Sequence, residues 1–173
     1  MGAEITLVLG GARSGKSEVA ERLALGLGRP ITYVATGGTP PDDPEWAERL
    51  ARHRARRGDQ WETVELELGG DLATMLREIA GPALVDSLGT WVAALDDMGA
   101  GGEEHRRLND SLEVRRAAGF ATVVVSEEVG LGVHPSFEAG RLFRDALGTL
   151  NRDVAKIADG VLLVVAGRVL PLS

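Results

Sequence analysis

The stretch EITLVLGGARSGKSEVAERLALGLG, Glu4–Gly28, decides how the rest of the chain is read. Its first seven residues, EITLVLG, are mostly apolar and read as a buried strand. Residues 17–28 carry a helical pattern that ends in glycines. Between them GGARSGKS fits G-x-x-x-x-G-K-[ST], with Gly10, Gly15, Lys16 and Ser17 at the fixed positions. A strand before and a helix after are the context that gives this motif its meaning. Glycines let the backbone N–H groups wrap a phosphate, and the helix N-terminus adds partial positive charge. The nucleotide-binding candidates are therefore Gly10, Gly11, Ala12, Arg13, Ser14, Gly15, Lys16 and Ser17. Lys16 is expected on the β- and γ-phosphates, as a catalytic group, and the Ser17 hydroxyl on Mg²⁺.

Outward from this cradle, apolar runs alternate with helical patterns. Strands are expected at 4–10, 31–37, 61–67, 83–88, 121–129 and 160–167, the last of them closing the sheet. Helices are expected over 45–57, 71–80, 90–98, 103–118 and 138–158, with GAGG (99–102) as a flexible connection. The helix at 138–158 is the clearest: Leu142, Phe143, Ala146, Leu147, Leu150, Val154 and Ile157 form one stripe. Strands that are apolar throughout belong in a sheet covered on both faces. The fold class is α/β: a P-loop NTPase with a mainly parallel sheet and helices on both faces. The 173 residues suit one domain spanning 1–173, and no repeat or linker divides them.

Composition narrows the function. The formal net charge is −7, which argues against a general binder of nucleic acid or anionic membrane. The longest apolar runs, such as VLLVV, are too short to span a bilayer. No signal peptide is legible after Met1 and there is no cysteine, so the chain is compatible with the cytoplasm.

Two further features point to chemistry. ALVDSL ends an apolar strand in Asp86, as expected of an acid that holds Mg²⁺ through water; an ordinary helix cap would look the same. Against the acidic background, RLARHRARR (49–57) gathers five arginines around His53. On a helix, Trp46, Leu50, His53 and Arg57 share a face, and Arg49, Arg52 and Arg56 share another. Surrounding cations disfavour the imidazolium and keep the ring nucleophilic. His53 could then attack a nucleotide α-phosphate while arginines receive the departing pyrophosphate. On the residues alone a boundary histidine on a solvated basic helix remains the plainer reading. His105, in EEHRR, and His134, before Pro135, carry less support.

Taken together, these stretches resemble the bifunctional adenosylcobinamide kinase / adenosylcobinamide-phosphate guanylyltransferase family. The resemblance is carried by GGARSGKSEVAERLA, YVATG, ERLARHRARRGDQWETVE, LVDSLGTWV, VSEEVGLGVHP and GRLFRDALGTLNRDVAKIADGVLLVVAG, over nearly the whole chain. It implies a RecA-like sheet, a homo-oligomer (a trimer) and two reactions. ATP or GTP phosphorylates adenosylcobinamide; GTP then passes GMP through a histidine to adenosylcobinamide phosphate. The guanylylated histidine falls on His53. The family's other GTP-binding positions fall on the cradle, Ala35, Thr36 and Gly37, Arg54, Ala55, Arg56 and Arg57, Glu65 and Asp86. Substrates so implied are ATP, GTP and the two cobinamides, with Mg²⁺ as cofactor and neither nucleic acid nor membrane as partner.

The chain departs from many relatives at Gly58, where they carry proline, and at Glu127, where they often carry asparagine. Glu127 adds negative charge near the expected phosphates. In the EEVGLGVHP loop, Gly130 and Gly132 are expected to let backbone approach the corrinoid, and Glu128 to assist the kinase step; a plain reversing turn is equally compatible. The alternatives are a small-molecule kinase without guanylyl transfer and a non-catalytic nucleotide-binding regulator or assembly motor.

Overall fold

The computed structural model describes residues 3–37, 58–95 and 102–172. The expected helix at 45–57 lies outside them. The strands are β1 (Ile5–Gly10), β2 (Ile31–Ala35), β3 (Trp61–Glu65), β4 (Ala83–Asp86), β5 (Thr122–Glu127), β6 (Gly160–Val165) and β7 (Arg168–Pro171). The described helices are α1 (Lys16–Ala24), α2 (Leu72–Glu78), α3 (Leu88–Ala94), α4 (Gly102–Ala117) and α5 (Glu138–Ile157). All seven strands form one sheet in the order β3-β2-β4-β5-β1-β6-β7.

Period-two alternation along the strands builds two cores. Ile5, Leu7 and Leu9 of β1 face one side, with Val34, Val85, Val124 and Val161. Against them pack Leu72 and Leu76 of α2, Trp91 and Val92 of α3, Leu108 and Leu112 of α4, and Leu147, Leu150 and Val154 of α5. Val8, Tyr33, Leu84, Val123 and Val164 face the other side, where α1 brings Val19, Ala20 and Ala24. Helices therefore cover both faces, as expected of apolar parallel strands. Each fully buried large aliphatic side chain contributes roughly 1.5–3 kcal/mol of transfer free energy.

Several boundaries differ from the sequence expectation. The sheet does not close at β6. Ala166 and Gly167, with φ of 49° and 74°, turn the chain back into β7, which runs antiparallel to β6. All four β7 residues are exposed, so no alternating apolar pattern marks the strand. The helix expected from 90 begins at Leu88 and ends at Ala94, with Leu95 extended at ψ 134°. Gly102, expected in the connection, already opens α4. On α5 the stripe is buried at its centre, while Leu142 lies at its exposed edge. Among the described residues no helix is long and apolar enough to cross a membrane.

Candidate active site

Six strands run parallel, so their C-terminal ends share one edge of the sheet, where open α/β sheets bind ligands. The cradle leaves that edge from β1. Gly10 has no space for a side chain: a Cβ would lie 2.4 Å from Ser14 Oγ and 2.8 Å from the Val164 carbonyl oxygen. Gly15, the N-cap of α1, has φ 90°, a left-handed conformation that glycine adopts without steric cost. Among the described residues no side chain caps α1, and the partial positive charge of its N-terminus favours an anion there. The β6–β7 turn props the cradle from behind, since the Gly167 N–H donates to the Ser14 carbonyl at 2.8 Å. Gly11, Ala12 and Arg13 are exposed along the rim, and Ser14 is buried beneath them. Lys16 Nζ lies 3.5 Å from the Gly11 carbonyl oxygen and 3.4 Å from Glu127 Oε1.

The strand register brings three predicted residues side by side. Ala35 is opposite Glu65 on β3 and opposite Asp86 on β4. Asp86 is held from behind, with the Tyr33 hydroxyl donating to Oδ2 at 2.8 Å. The order of the sheet puts β5 between β4 and the cradle strand, so Asp86 approaches the cradle from one strand away. Thr36 is only 1% exposed. Its hydroxyl donates to the Ser87 carbonyl at 2.6 Å and accepts the Ser87 N–H at 2.8 Å. That hydroxyl is thus engaged inside the protein, clasping β2 to the start of α3. Gly37 ends the described part of this segment. His53, Arg54, Ala55, Arg56 and Arg57 lie outside the described residues.

Magnesium takes oxygen ligands and usually shares one or two protein groups with substrate phosphates. Among the described residues no group of three or more His, Cys, Asp or Glu forms a cage for a metal ion. A hydroxyl at Ser17 beside the cradle and a carboxylate at Asp86 match the sparser donor set that a phosphate-bound Mg²⁺ needs.

Glu127 is the residue that sequence reasoning left out of the site. It appeared only as added negative charge; the structure turns its carboxylate to Lys16 and to Ser87 Oγ, 3.0 Å from each carboxylate oxygen. Glu128, by contrast, uses Oε1 to accept the Gly130 N–H at 2.6 Å. Beyond it, Leu131, Val133 and Phe137 are strongly exposed, an unusual run of apolar side chains on a loop. A groove of about 480 Å³ lies beside this loop, lined by Gly130 with Arg144, Asp145, Gly148, Thr149 and Arg152 of α5. His134 on the loop is hydrogen-bonded to Arg144. His105, on α4, is buried.

Residues 6–172 match the family model of the cobinamide kinase / cobinamide phosphate guanyltransferases. The chain belongs to this family. It is 40% identical over 173 residues to the bifunctional adenosylcobalamin biosynthesis protein CobP of Pseudomonas aeruginosa, covering 96% of each chain. The corresponding CobU protein of Salmonella typhimurium is 34% identical over 178 residues, covering 93% of this chain and 95% of its own. Among solved structures, the flagellar accessory protein FlaH of Methanocaldococcus jannaschii superposes with a TM-score of 0.57 at 13% identity, over 99% of this chain and 79% of its own. The RadB recombinase gives 0.55 at 19% identity, over 94% and 74%. These two likenesses show the RecA-like P-loop fold of this cobinamide kinase / guanyltransferase family member.

Proposed function

We propose that the chain is a bifunctional enzyme of cobalamin biosynthesis, which phosphorylates adenosylcobinamide and then converts the phosphate to adenosylcobinamide-GDP. The observation that carries this reading is the shared C-terminal edge of the parallel sheet, where the Gly10–Ser17 cradle leaves β1 and Ala35, Glu65 and Asp86 end three adjoining strands beyond β5, in a chain of this family.

In the kinase step the cradle N–H groups and Lys16 hold the β- and γ-phosphates of ATP or GTP. The acceptor hydroxyl oxygen attacks the γ-phosphorus, and the nucleoside diphosphate leaves. Ser17 and Asp86 are the residues that would hold Mg²⁺, which supplies charge neutralisation on the phosphates when bound. In the guanylyl step a ring nitrogen of His53 attacks the GTP α-phosphorus and pyrophosphate departs. An oxygen of the cobinamide phosphate then attacks the same phosphorus, displacing the histidine. Arg54, Arg56 and Arg57 neutralise phosphate charge, Ala55 and residues 35–37 belong to the nucleotide site, and Glu65 accepts hydrogen bonds from the nucleoside. The exposed apolar loop and the Arg144–Arg152 groove support a corrinoid resting beside Gly130 and Gly132. The same reading makes the protein a cytoplasmic homotrimer.

The test is incubation with Mg²⁺ and GTP labelled at the α- or at the γ-phosphate. Acid-labile, base-stable protein label from the α-position alone, absent in His53→Ala, is the expected result. Phosphorylation of adenosylcobinamide without any α-label would leave a plain kinase.

A further inference from the structure

Two glutamates follow one another where β5 ends, Glu127 as its last residue and Glu128 in the loop beyond, and their carboxylates meet different surroundings. Glu128 caps its own loop through the Gly130 N–H. Glu127 faces the cradle, and three other elements position it. From β1, the Gly10 carbonyl accepts the Glu128 N–H at 3.1 Å, and Gly10 stands in register with Glu127. From α5, Asn151 Nδ2 donates to the Glu127 carbonyl at 3.0 Å, while Ser126 Oγ donates to Asn151 Oδ1 at 2.6 Å. From the start of α3, the Ser87 hydroxyl reaches the carboxylate. Space for that carboxylate exists because residue 89 is glycine: a Cβ there would lie 1.9 Å from Glu127 Oε2.

This placement has a chemical consequence. Lys16 Nζ, the group that meets the β- and γ-phosphates in a cradle of this type, is 3.4 Å from Glu127 Oε1. A γ-phosphoryl group touching Lys16 is therefore within a side chain's reach of Glu127. Asp86 is worse placed, one strand further from the cradle and with Oδ2 engaged by Tyr33. Phosphoryl transfer to a hydroxyl calls for a positioned group that accepts the hydroxyl proton. We propose that in this chain, which carries glutamate where many relatives carry asparagine, Glu127 is the general base of the kinase step. Its carboxylate takes the acceptor's hydroxyl proton as the acceptor oxygen bonds to the γ-phosphorus. The bond from that phosphorus to the β–γ bridging oxygen breaks, and the electron pair leaves with the nucleoside diphosphate. Ser87 and Lys16 aim the carboxylate before nucleotide arrives, and Ser87 continues to do so once Lys16 turns to the phosphates. Guanylyl transfer through a histidine nitrogen removes no hydroxyl proton, so it does not need this base. The proposal rests on the kinase reading given above.

The experiment compares the native protein with Glu127→Gln and Glu127→Ala in single-turnover phosphorylation of adenosylcobinamide by Mg·ATP. Loading of the same proteins with α-labelled GTP is measured in parallel. Glu127→Gln is expected to slow phosphoryl transfer by about 10²- to 10³-fold. GMP loading and ATP affinity should not weaken, because the substitution removes negative charge beside Lys16. Added formate should restore phosphoryl transfer to Glu127→Ala in a concentration-dependent way and leave the native rate unchanged. A phosphoryl-transfer rate in Glu127→Gln within about threefold of native would overturn the proposal. So would an equal loss of GMP loading, or a slow Glu127→Ala that formate does not rescue. A native protein with GMP loading but no kinase activity would instead overturn the kinase reading on which the proposal stands.

Discussion

Arg115 is 1% exposed, and its guanidinium is used entirely on the fold. Nη1 donates to the carbonyls of Leu76 and Ile79 at the end of α2, Nη2 to that of Gly81, and Nε to Thr122 Oγ1. Burial pulls its pKa down to about 10. Arg115→Met should leave those carbonyls without a donor and cost about 3–5 kcal/mol, read as a lower denaturant midpoint. Gly10 is constrained differently, by the closeness of Ser14 Oγ and the Val164 carbonyl. Gly10→Ala should deform the cradle and weaken nucleotide binding about tenfold or more, measured by titration calorimetry with the fold retained in circular dichroism. The cradle glycines are legible in sequence because their demands are local. Arg115 is not, since RR in an exposed-looking helix gives no hint that one arginine turns inward.

At the scale of elements, α4 and α5 pack with His105 between them. Its Nε2 is buried with no hydrogen-bond partner among the described residues. Burial lowers the His105 pKa below 6.5, partly offset by the charges of Asp153 on α5 and Glu104 on α4. The unfolded chain therefore binds the proton more readily than the folded one. The stability contributed is fully present above pH 6.5 and is lost as pH falls through the folded value. Denaturant titrations should show stability declining below pH 6.5 in the native protein and a flatter profile in His105→Leu. The charged run EEHRR gives no sign that its histidine is buried; helix phase relative to α5, a tertiary quantity, decides it. Ser87 works as an element boundary, its hydroxyl accepting the Thr90 N–H in a capping box at the start of α3. The residues announced a strand followed by a helix here but placed the helix two residues late, and they gave no sign of the clasp from Thr36.

For the whole molecule, the order of the sheet determines which residues can act together. Inserting β5 between β4 and β1 separates Asp86 from the cradle and delivers Glu127 to it. The same order leaves β3 and β7 at the edges, with Val169, Leu170 and Leu172 exposed near one of them. The homotrimer of the proposed function should appear in sedimentation equilibrium at three times the 18.3 kDa chain mass.

The sequence by itself determined the phosphate cradle, the alternation of strand and helix, and the doubly covered sheet. Each depends on contiguous residues: a turn that needs glycine, a helix N-terminus, an apolar period of two or 3.6. Only the tertiary structure decided that the chain turns back into β7, that Thr36 closes inward, and that Glu127 rather than Glu128 faces Lys16. Glu127 ends β5 and Glu128 opens the loop beyond it, so the two carboxylates meet different surroundings. Which side carries the cradle is set by long-range strand pairing, and no local pattern encodes it.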